Sequence, residues 1–325
     1  MIVPTTRDAA PHGPSPRTSR VIASLYTAAV IVHLIDGTYE LFRAWFGAPH
    51  QRVNGREIGA VRSMVRSFSA LLSRKTITHA GVAYDHVIES FRNDLFPGYK
   101  TGEGVDPDLF AQFELAERMT TALGMMAWPM IDFEADDAIA TAAHALSKDD
   151  RVEQVRITAV DKDMCQCVIG SRVVCWDRFK DVVLDEPAVI AKHGVPPRSI
   201  PDLLALVGDT ADGIPGLPGW GKSSASKVLS TYGTVEAIPD DVAQWSLALR
   251  GSDRLAAALR DERPAANLYR TLATLRLDCP IICDADALAW RGVDRAAIEA
   301  ICVELELAPG TVTLADRVSG SRSDR

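Results

Sequence analysis

Residues 208–227 read GDTADGIPGLPGWGKSSASK and place two acids directly before a glycine- and proline-rich turn and a helix start. Asp209 and Asp212 are three residues apart, so a helical turn or tight loop brings both carboxylates to one side. The segment PGLPGWG that follows suits neither helix nor strand. A helical run then begins at Lys222, where free backbone N–H groups suit a phosphate. The stretch predicts contact with a nucleic-acid backbone without base reading, and the alternative is an ordinary loop with surface acids.

The composition is that of a globular chain with enough residues for one large domain or two joined ones. It has 325 residues, of which 47% are hydrophobic. Apolar runs alternate with helical patterns, which predicts an α/β fold. Because no uncharged apolar stretch reaches about 18 residues, we expect no membrane span. The six cysteines lack disulfide or zinc spacing, so we expect buried thiols in a reducing cytoplasm.

Three apolar runs that are predicted to be buried strands each end in an aspartate. These are the runs before Asp36 and Asp85 and the run at residues 155–160 before Asp161. Ligands bind beyond the carboxyl ends of strands in doubly wound sheets, so the three acids are expected to share a site. For Asp36 alone, capping of the next helix explains the residue equally well.

More acids open a predicted helix at residues 134–137, EADD. Glu134 and Asp137 are three apart and share a helix face, whereas Asp136 need not. Acids in a first helical turn also favour the helix dipole, which is a structural explanation. However, crowded carboxylates repel one another unless cations lie between them.

Together these acids predict one metal site that uses oxygen ligands only. The set consists of nine residues: Asp36, Asp85, Glu134, Asp136, Asp137, Asp161, Asp163, Asp209 and Asp212. Oxygen ligands favour Mg²⁺ or Mn²⁺ over zinc. Two such ions roughly 3.5–4 Å apart promote in-line attack of water on a phosphodiester. The net charge of −8 falls largely on this set, so it does not exclude a nucleic-acid partner.

In chain order these motifs resemble the 5′-nuclease (flap endonuclease) family, which includes the 5′→3′ exonuclease domain of bacterial DNA polymerase I and its stand-alone relatives. The motifs are Ile35-Asp36-Gly37, Tyr84-Asp85, Phe91-Arg92, Tyr99-Lys100, Glu134-Ala135-Asp136-Asp137, Asp161-Lys162-Asp163, Gly208-Asp209-x2-Asp212-Gly213-Ile214-Pro215-Gly216 and Pro218-Gly219-Trp220-Gly221-Lys222. The resemblance covers roughly residues 31–307.

The resemblance implies an α/β fold with a mostly parallel central sheet flanked by helices, a PIN-like nuclease core. It adds a helical arch and a C-terminal helix–hairpin–helix-type subdomain. The expected divisions are a disordered tail at 1–29, the core at 30–200 with the arch at about 90–125, the helical subdomain at 201–309 and a polar tail at 310–325.

The resemblance also implies roles for individual residues. One metal group would be held by Asp36, Asp85, Glu134, Asp136 and Asp137, and the other by Asp161, Asp163, Asp209 and Asp212, with Asp161 able to bridge both. Arg92 and Lys100 would steer and neutralise the scissile phosphate, and Asp161 would act with them in catalysis. The implied DNA contacts are Arg43, Arg92, Lys100, Gly219, Gly221, Lys222, Ser223 and Lys227, with K⁺ bound at the hairpin carbonyls.

The function implied is a free-standing, structure-specific nuclease that removes 5′ flaps and degrades DNA from 5′ ends, RNA-primed ends included. Its expected roles are primer removal and repair, as a monomer on cytoplasmic, nucleoid-associated DNA. Two alternatives stay open: a DNA-junction-binding protein that does not cut, and a related ribonuclease. The full set of acids disfavours the first, and the glycine hairpin is unexplained by the second.

Two residues depart from the family pattern. Glu103 stands where the family usually has an arginine three residues after its lysine, so weaker DNA binding or altered flap preference is expected. Trp220 stands where a smaller aliphatic residue is usual, and packing is favoured over stacking on a sugar.

Overall fold

A computed structural model describes residues 30–159 and 161–316. The predicted tail at 1–29 and residues 317–325 lie outside this range. The strands are β1 Val30–Asp36, β2 Arg52–Val53, β3 Arg56–Glu57, β4 His79–Asp85, β5 Met126–Met130, β6 Val152–Thr158, β7 Val173–Asp177 and β8 Val182–Leu184. The helices are α1 Gly37–Gly47, α2 Gly59–Leu72, α3 Phe91–Leu95, α4 Pro107–Phe110, α5 Phe113–Ala122, α6 Ala135–Leu146, α7 Glu186–His193, α8 Ile200–Val207, α9 Lys222–Tyr232, α10 Ser252–Asp261, α11 Arg263–Ala273, α12 Ala285–Leu288 and α13 Arg295–Glu304.

A six-stranded sheet forms the centre of the N-terminal region, in the order β5-β4-β1-β6-β7-β8. All its neighbouring strands are parallel except β7 and β8. Because helices cover both faces, the central strand β1 (VIVHLID) is apolar on both faces, with Val32, Leu34 and Ile35 buried. The predicted α/β class with a mostly parallel sheet is confirmed.

The observed strands differ in extent from the predicted ones. Strand β6 ends at Thr158, so the predicted run at 155–160 begins too late and its last residue lies outside the described range. The prediction did not include β5 and β8, because β5 contains Pro129 and β8 has only three residues. Both are edge strands, where a missing N–H or a short run is tolerated.

Only the last part of the region predicted as an arch, at about 90–125, packs into the core, whereas residues 93–111 are mostly exposed or half-buried. Helix α5 has an amphipathic pattern and buries Phe113, Leu115 and Met119 in the same cluster as α2. In the loop before α4, Tyr99 is buried while Glu103 is exposed. Burial of this apolar face holds α5 against the core.

The C-terminal residues, from the end of the predicted helical subdomain at 201–309 into the predicted polar tail at 310–325, return to the N-terminal region. Helix α13 places Ile298 and Ile301 in the cluster that contains α2 and α5. Val312 and Leu314 are buried in that same cluster. Within the described residues, the segment from α13 to residue 314 therefore completes the core beside α5.

Among the residues described, no helix combines the length and the apolar character that crossing a membrane would require.

Candidate active site

The carboxyl edge of the sheet brings together acids from separate parts of the chain. Asp36 and Asp85 end the paired parallel strands β1 and β4, and Asp161 follows the next strand, β6. Asp36 Oδ1 accepts a 2.8 Å hydrogen bond from the Tyr39 N–H, so it caps α1 as well as facing the site. Asp85 Oδ1 accepts a 2.7 Å bond from the Ala135 N–H at the start of α6.

Eight of the nine predicted ligands form one continuous group, which we call the acid cluster. It consists of Asp36, Asp85, Glu134, Asp136, Asp161, Asp163, Asp209 and Asp212. Burial, followed by repulsion from Asp85, raises the pKa of Asp36 to about 7. Burial and neighbouring carboxylates also raise the pKa of Asp85, Asp136, Asp163 and Asp212.

Glu134 is the member of the cluster with the most direct partners. Its carboxylate accepts hydrogen bonds from Ser90 Oγ at 2.8 Å and Arg92 Nη1 at 3.0 Å, and it lies 2.7 Å from Lys100 Nζ. Burial alone would raise the pKa of Glu134, but Lys100 and Arg92 outweigh it and lower that pKa. Glu134 therefore stays ionised inside the cluster.

Two lysines place positive charge between the carboxylates. Lys100 Nζ lies 2.7 Å from Glu134 Oε2 and 3.1 Å from Asp212 Oδ1, so it joins acids that the prediction put in different metal groups. Burial opposes its charge, yet Glu134 and Asp212 raise the pKa of Lys100 well above its ordinary value. Lys162 Nζ lies 2.8 Å from Asp209 Oδ1.

The chemistry of the cluster fits a hard divalent cation. Its donors are carboxylate oxygens, and Asp136 Oδ1 is buried without any hydrogen-bond partner. A bound cation would supply that partner and offset the repulsion that raises the pKa values. Within residues 30–159 and 161–316, however, no three acid, histidine or cysteine side chains converge on one metal position. The carboxylates lie near one another without closing around a single point.

The structure gives Arg92 and Asp137 different places from those predicted. Arg92 is only 1% exposed, and its guanidinium makes two 2.7 Å bonds to the Asp137 carboxylate. Asp137 is fully buried and has both oxygens occupied by Arg92. Asp137 is therefore not arranged as a metal ligand, and Arg92 is not arranged to contact a phosphate, because each neutralises the other inside the protein.

The glycine hairpin forms the predicted turn between α8 and α9. Gly213, Gly216 and Gly219 all have positive φ, which explains why glycine occupies these positions. The exposed Gly221 precedes the first turn of α9, and Ser223 and Lys227 of that helix are also exposed. These residues face solvent as a backbone-binding surface requires.

The remaining predicted contacts have specific partners. Lys222 Nζ donates to the Lys192 carbonyl at 2.9 Å, which anchors the start of α9 to α7. Arg43 binds Glu40 at 2.7 Å, and its guanidinium lies over the Phe179 ring at 4.0 Å. Arg43 is thus half-buried and held by these two partners.

Trp220 packs inside the helical region, as the sequence favoured. It is buried, and its Nε1 donates to the Leu255 carbonyl at 3.2 Å. Its ring centroid lies 6.3 Å from that of Trp245. Trp220 therefore has no free face for a sugar.

Several residues of the site were not predicted from the sequence. Ser90 binds Glu134, Thr38 Oγ1 accepts the Asp85 N–H at 2.8 Å, and Gln166 Nε2 donates to the Asp163 carbonyl at 2.9 Å. Ser90 starts α3 with Asn93 three residues later, which is a capping signal in the sequence. Thr38 and Gln166 carry no comparable signal.

A parallel sheet with clustered acids at its carboxyl edge, joined to a helical hairpin region, defines a hydrolase of the nuclease class. The profile of the 5′-3′ exonuclease N-terminal resolvase-like domain matches residues 31–194, and that of the 5′-3′ exonuclease C-terminal SAM fold matches residues 195–296. The chain belongs to the 5′-3′ exonuclease family, which also contains flap endonucleases.

Relatives of known sequence agree with this assignment. DNA polymerase I of Bacillus caldotenax is 33% identical over 311 residues, covering 88% of this chain and 34% of the polymerase. The 5′-3′ exonuclease of Buchnera aphidicola subsp. Schizaphis graminum is 30% identical over 266 residues, covering 79% of this chain and 90% of that protein. The chain thus spans about a third of the length of the DNA polymerase I relatives.

A solved structure shares the fold. The flap endonuclease of bacteriophage T5, determined as a complex with DNA and metal ions, has a TM-score of 0.59 and 20% sequence identity. The match covers 85% of this chain and 100% of the phage protein. At this identity the likeness establishes the fold alone.

Proposed function

We propose that the chain is a divalent-metal-dependent, structure-specific 5′→3′ exonuclease and 5′-flap endonuclease that hydrolyses DNA phosphodiesters. The observation that carries this proposal is the acid cluster, in which Asp136 Oδ1 is buried without a partner among carboxylates of raised pKa. Buried charge of this kind is costly for folding and is typical of functional sites.

Divalent cations suit both the cluster and the proposed reaction. When bound, Mg²⁺ or Mn²⁺ would polarise the phosphodiester and activate water in a two-metal mechanism. Asp36, Asp85, Glu134 and Asp136 would hold cations in one part of the acid cluster, and Asp161, Asp163, Asp209 and Asp212 in the other. The phage flap endonuclease with the same fold was solved with metal ions and DNA, which supports metal dependence.

Lys100 is the residue of this chain placed to contact the scissile phosphate. Its side chain is 27% exposed, so it is accessible to solvent while it pairs with Glu134 and Asp212. Its raised pKa keeps it protonated at neutral pH. Lys100 would neutralise the phosphate as charge builds up during cleavage.

The glycine hairpin would hold the DNA duplex through its backbone. Exposed Gly221, Ser223 and Lys227 around the start of α9 offer N–H groups and positive charge without base contacts. K⁺ on the hairpin carbonyls would strengthen that contact. The proposed substrates are 5′ flaps and 5′ ends, RNA-primed ends included, cut by a monomer during primer removal and repair in the cytoplasm.

A 3′-labelled 5′-flap duplex tests this function directly. We expect cleavage with Mg²⁺ or Mn²⁺ and none with EDTA. Release of the flap as one fragment supports an endonuclease, and stepwise shortening supports an exonuclease. Asp161→Ala should abolish cleavage and retain DNA binding, because Asp161 lies beside Asp163 among the carboxylates proposed to hold cations.

Two other functions remain as outcomes of the same experiment. Binding of the flap duplex without cleavage by either metal would favour a DNA-junction-binding protein. Cleavage of single-stranded RNA with weak duplex binding would favour a ribonuclease. The acid cluster disfavours the first alternative, because a protein that only binds DNA gains nothing from carboxylates that repel DNA and one another.

A further inference from the structure

Residues 272–276, which we call the strap, connect the end of α11 to the core of the N-terminal region. The strap contains the last residues of α11 and the extended chain that follows. It lies against α6, which begins beside Glu134 and contains Asp136, and against the short 3₁₀ helix that begins at Asp163. The strap therefore touches two of the elements that hold the acid cluster.

Arg92 of α3 fixes the strap to α6. Its Nε donates to the Leu272 carbonyl at 2.8 Å and its Nη2 to the Thr274 carbonyl at 3.1 Å. The other N–H groups bind Asp137, at 2.7 Å twice, and Glu134 at 3.0 Å. All five donors of the guanidinium are thus satisfied inside the protein, and none is left for a phosphate.

Asp137 completes the same connection from the α6 side. Besides Arg92, its Oδ1 accepts the Arg276 N–H at 2.8 Å and its Oδ2 accepts the Glu134 N–H at 3.1 Å. Each carboxylate oxygen therefore has two partners. A metal ion at Asp137 would have to displace hydrogen bonds to both Arg92 and the backbone.

Gln166 makes the matching connection from the 3₁₀ helix. Its Nε2 donates to the Ala273 carbonyl at 3.0 Å and its Oε1 accepts the Leu275 N–H at 3.0 Å. The same Nε2 donates to the Asp163 carbonyl at 2.9 Å. Gln166 thereby holds the strap directly against the element that bears Asp163.

The strap also connects to the acids of the hairpin, Asp209 and Asp212. Helix α11, which leads into the strap, packs along α8. Helix α8 ends one residue before the Gly208-Asp209 sequence. The acids of α6, of the 3₁₀ helix and of the hairpin are consequently held at a common spacing by one segment of the helical region.

We propose that Arg92, Asp137 and Gln166 are positioning residues that set the spacing of the acid cluster by clamping the strap, without contacting DNA or metal. This inference rests on the proposed function only for its effect on cleavage. We call these three residues the clamp. The clamp couples the positions of α8 and α11, which lie beside the glycine hairpin proposed to bind DNA, to the positions of the acids at the sheet. Loss of the clamp should slow cleavage without reducing the affinity for DNA.

The test compares the wild type with Arg92→Met, Asp137→Asn and Gln166→Leu. Hydrogen exchange of the 272–278 peptide, the DNA dissociation constant in EDTA over a range of salt concentrations, and single-turnover cleavage are measured. Arg276→Met is the matched control, because it removes an exposed guanidinium from the same strap while leaving its backbone N–H. If Arg92→Met does not fold, the double variant Arg92→Met, Asp137→Leu replaces the ion pair with apolar side chains of similar size.

For the clamp variants we expect faster hydrogen exchange in the strap and unchanged DNA affinity. The cleavage rate should fall by about 10- to 100-fold, as for other residues that orient metal ligands. The slope of log affinity against log salt should stay the same, whereas loss of a phosphate contact would reduce it by about 1. The control should match the wild type.

Weaker DNA binding with a reduced salt slope and unchanged strap exchange in Arg92→Met would overturn the inference. Cleavage at the wild-type rate in all three variants would also overturn it. A wild-type chain that does not cut DNA would instead refute the proposed function. In that case the exchange data still decide whether the clamp holds the strap.

Discussion

Asp136 and Asp137 are adjacent in the sequence, yet they belong to two regions that differ in whether a buried carboxylate has hydrogen-bond partners. In the acid cluster, Asp136 Oδ1 has no partner, and burial together with neighbouring acids raises the pKa of Asp136. In the clamp, Asp137 accepts four hydrogen bonds, two at each carboxylate oxygen. The comparison indicates that a buried charge satisfied by its own chain supports the fold, whereas an unsatisfied one marks a binding site.

The largest expected effect comes from Asp136→Asn. Cleavage should fall at least about 1000-fold, or about 4 kcal/mol of transition-state free energy. The free energy of unfolding should not decrease, because the change removes an unpaired buried charge. Single-turnover cleavage and urea denaturation measure the two quantities. The exposed Asp132→Asn serves as control, and a variant of Asp136 that cuts normally but unfolds more easily would reverse the comparison.

Asp137→Ala should have the opposite profile and reduce the free energy of unfolding by about 3–5 kcal/mol, because it leaves Arg92 buried without its partner. Urea denaturation measures this loss. Replacing both residues, as Arg92→Met with Asp137→Leu, should recover most of the stability. If the single variant were as stable as the wild type, the clamp would not be a structural ion pair.

His33 tests whether any buried polar group without a partner marks a site. It is 1% exposed in β1, and neither ring nitrogen has a hydrogen bond. Burial, with a smaller effect from Arg156, lowers its pKa to about 4. The unfolded chain therefore takes up a proton first as the pH falls from about 6.5, and about 3 kcal/mol of stability is lost by about pH 4.

Replacing the residue, as in His33→Leu, should remove that part of the pH dependence. Urea denaturation of both proteins between pH 4 and 7.5 isolates the contribution as a difference. Cleavage near neutral pH should not change, since His33 is neutral there. Identical pH dependence in the two proteins would show that His33 does not titrate as its surroundings indicate.

The smallest effect is expected at Glu103, which is exposed in the loop before α4. Glu103→Arg should strengthen DNA binding by no more than about tenfold and steepen the salt dependence, because it exchanges repulsion of phosphate for attraction. Fluorescence anisotropy with a flap duplex in EDTA measures both. An unchanged salt slope would place Glu103 away from the DNA.

The sequence predicted the fold class and eight of the clustered acids, because apolar runs that end in aspartate are local signals. The sequence did not show that Asp136 and Asp137 have different surroundings. Helical spacing alone paired Asp137 with Glu134, but the direction each carboxylate faces depends on the strap, more than 130 residues later in the chain. The return of α13 to the core was likewise unpredictable, since its partners on α2 and α5 are distant in sequence.

Arg92 also shows that a sequence pattern does not reveal long-range contacts. The family motif Phe91-Arg92 drew attention to this arginine, but motif and spacing do not specify burial. Only the fold shows that carbonyls of Leu272 and Thr274 use the donors that a phosphate would need. Long-range backbone contacts of this kind leave no periodic pattern in the sequence.

Calorimetric titration of Mn²⁺ into the wild type, Asp136→Asn and Asp137→Asn tests the distinction between the two regions most directly. We predict that Asp136→Asn loses at least one bound equivalent or weakens binding by more than about 100-fold, well beyond the about 10- to 100-fold typical of residues that only orient ligands. Asp137→Asn should retain the wild-type stoichiometry with at most about a tenfold weaker affinity. Loss of a metal equivalent in Asp137→Asn, with normal binding in Asp136→Asn, would contradict the account.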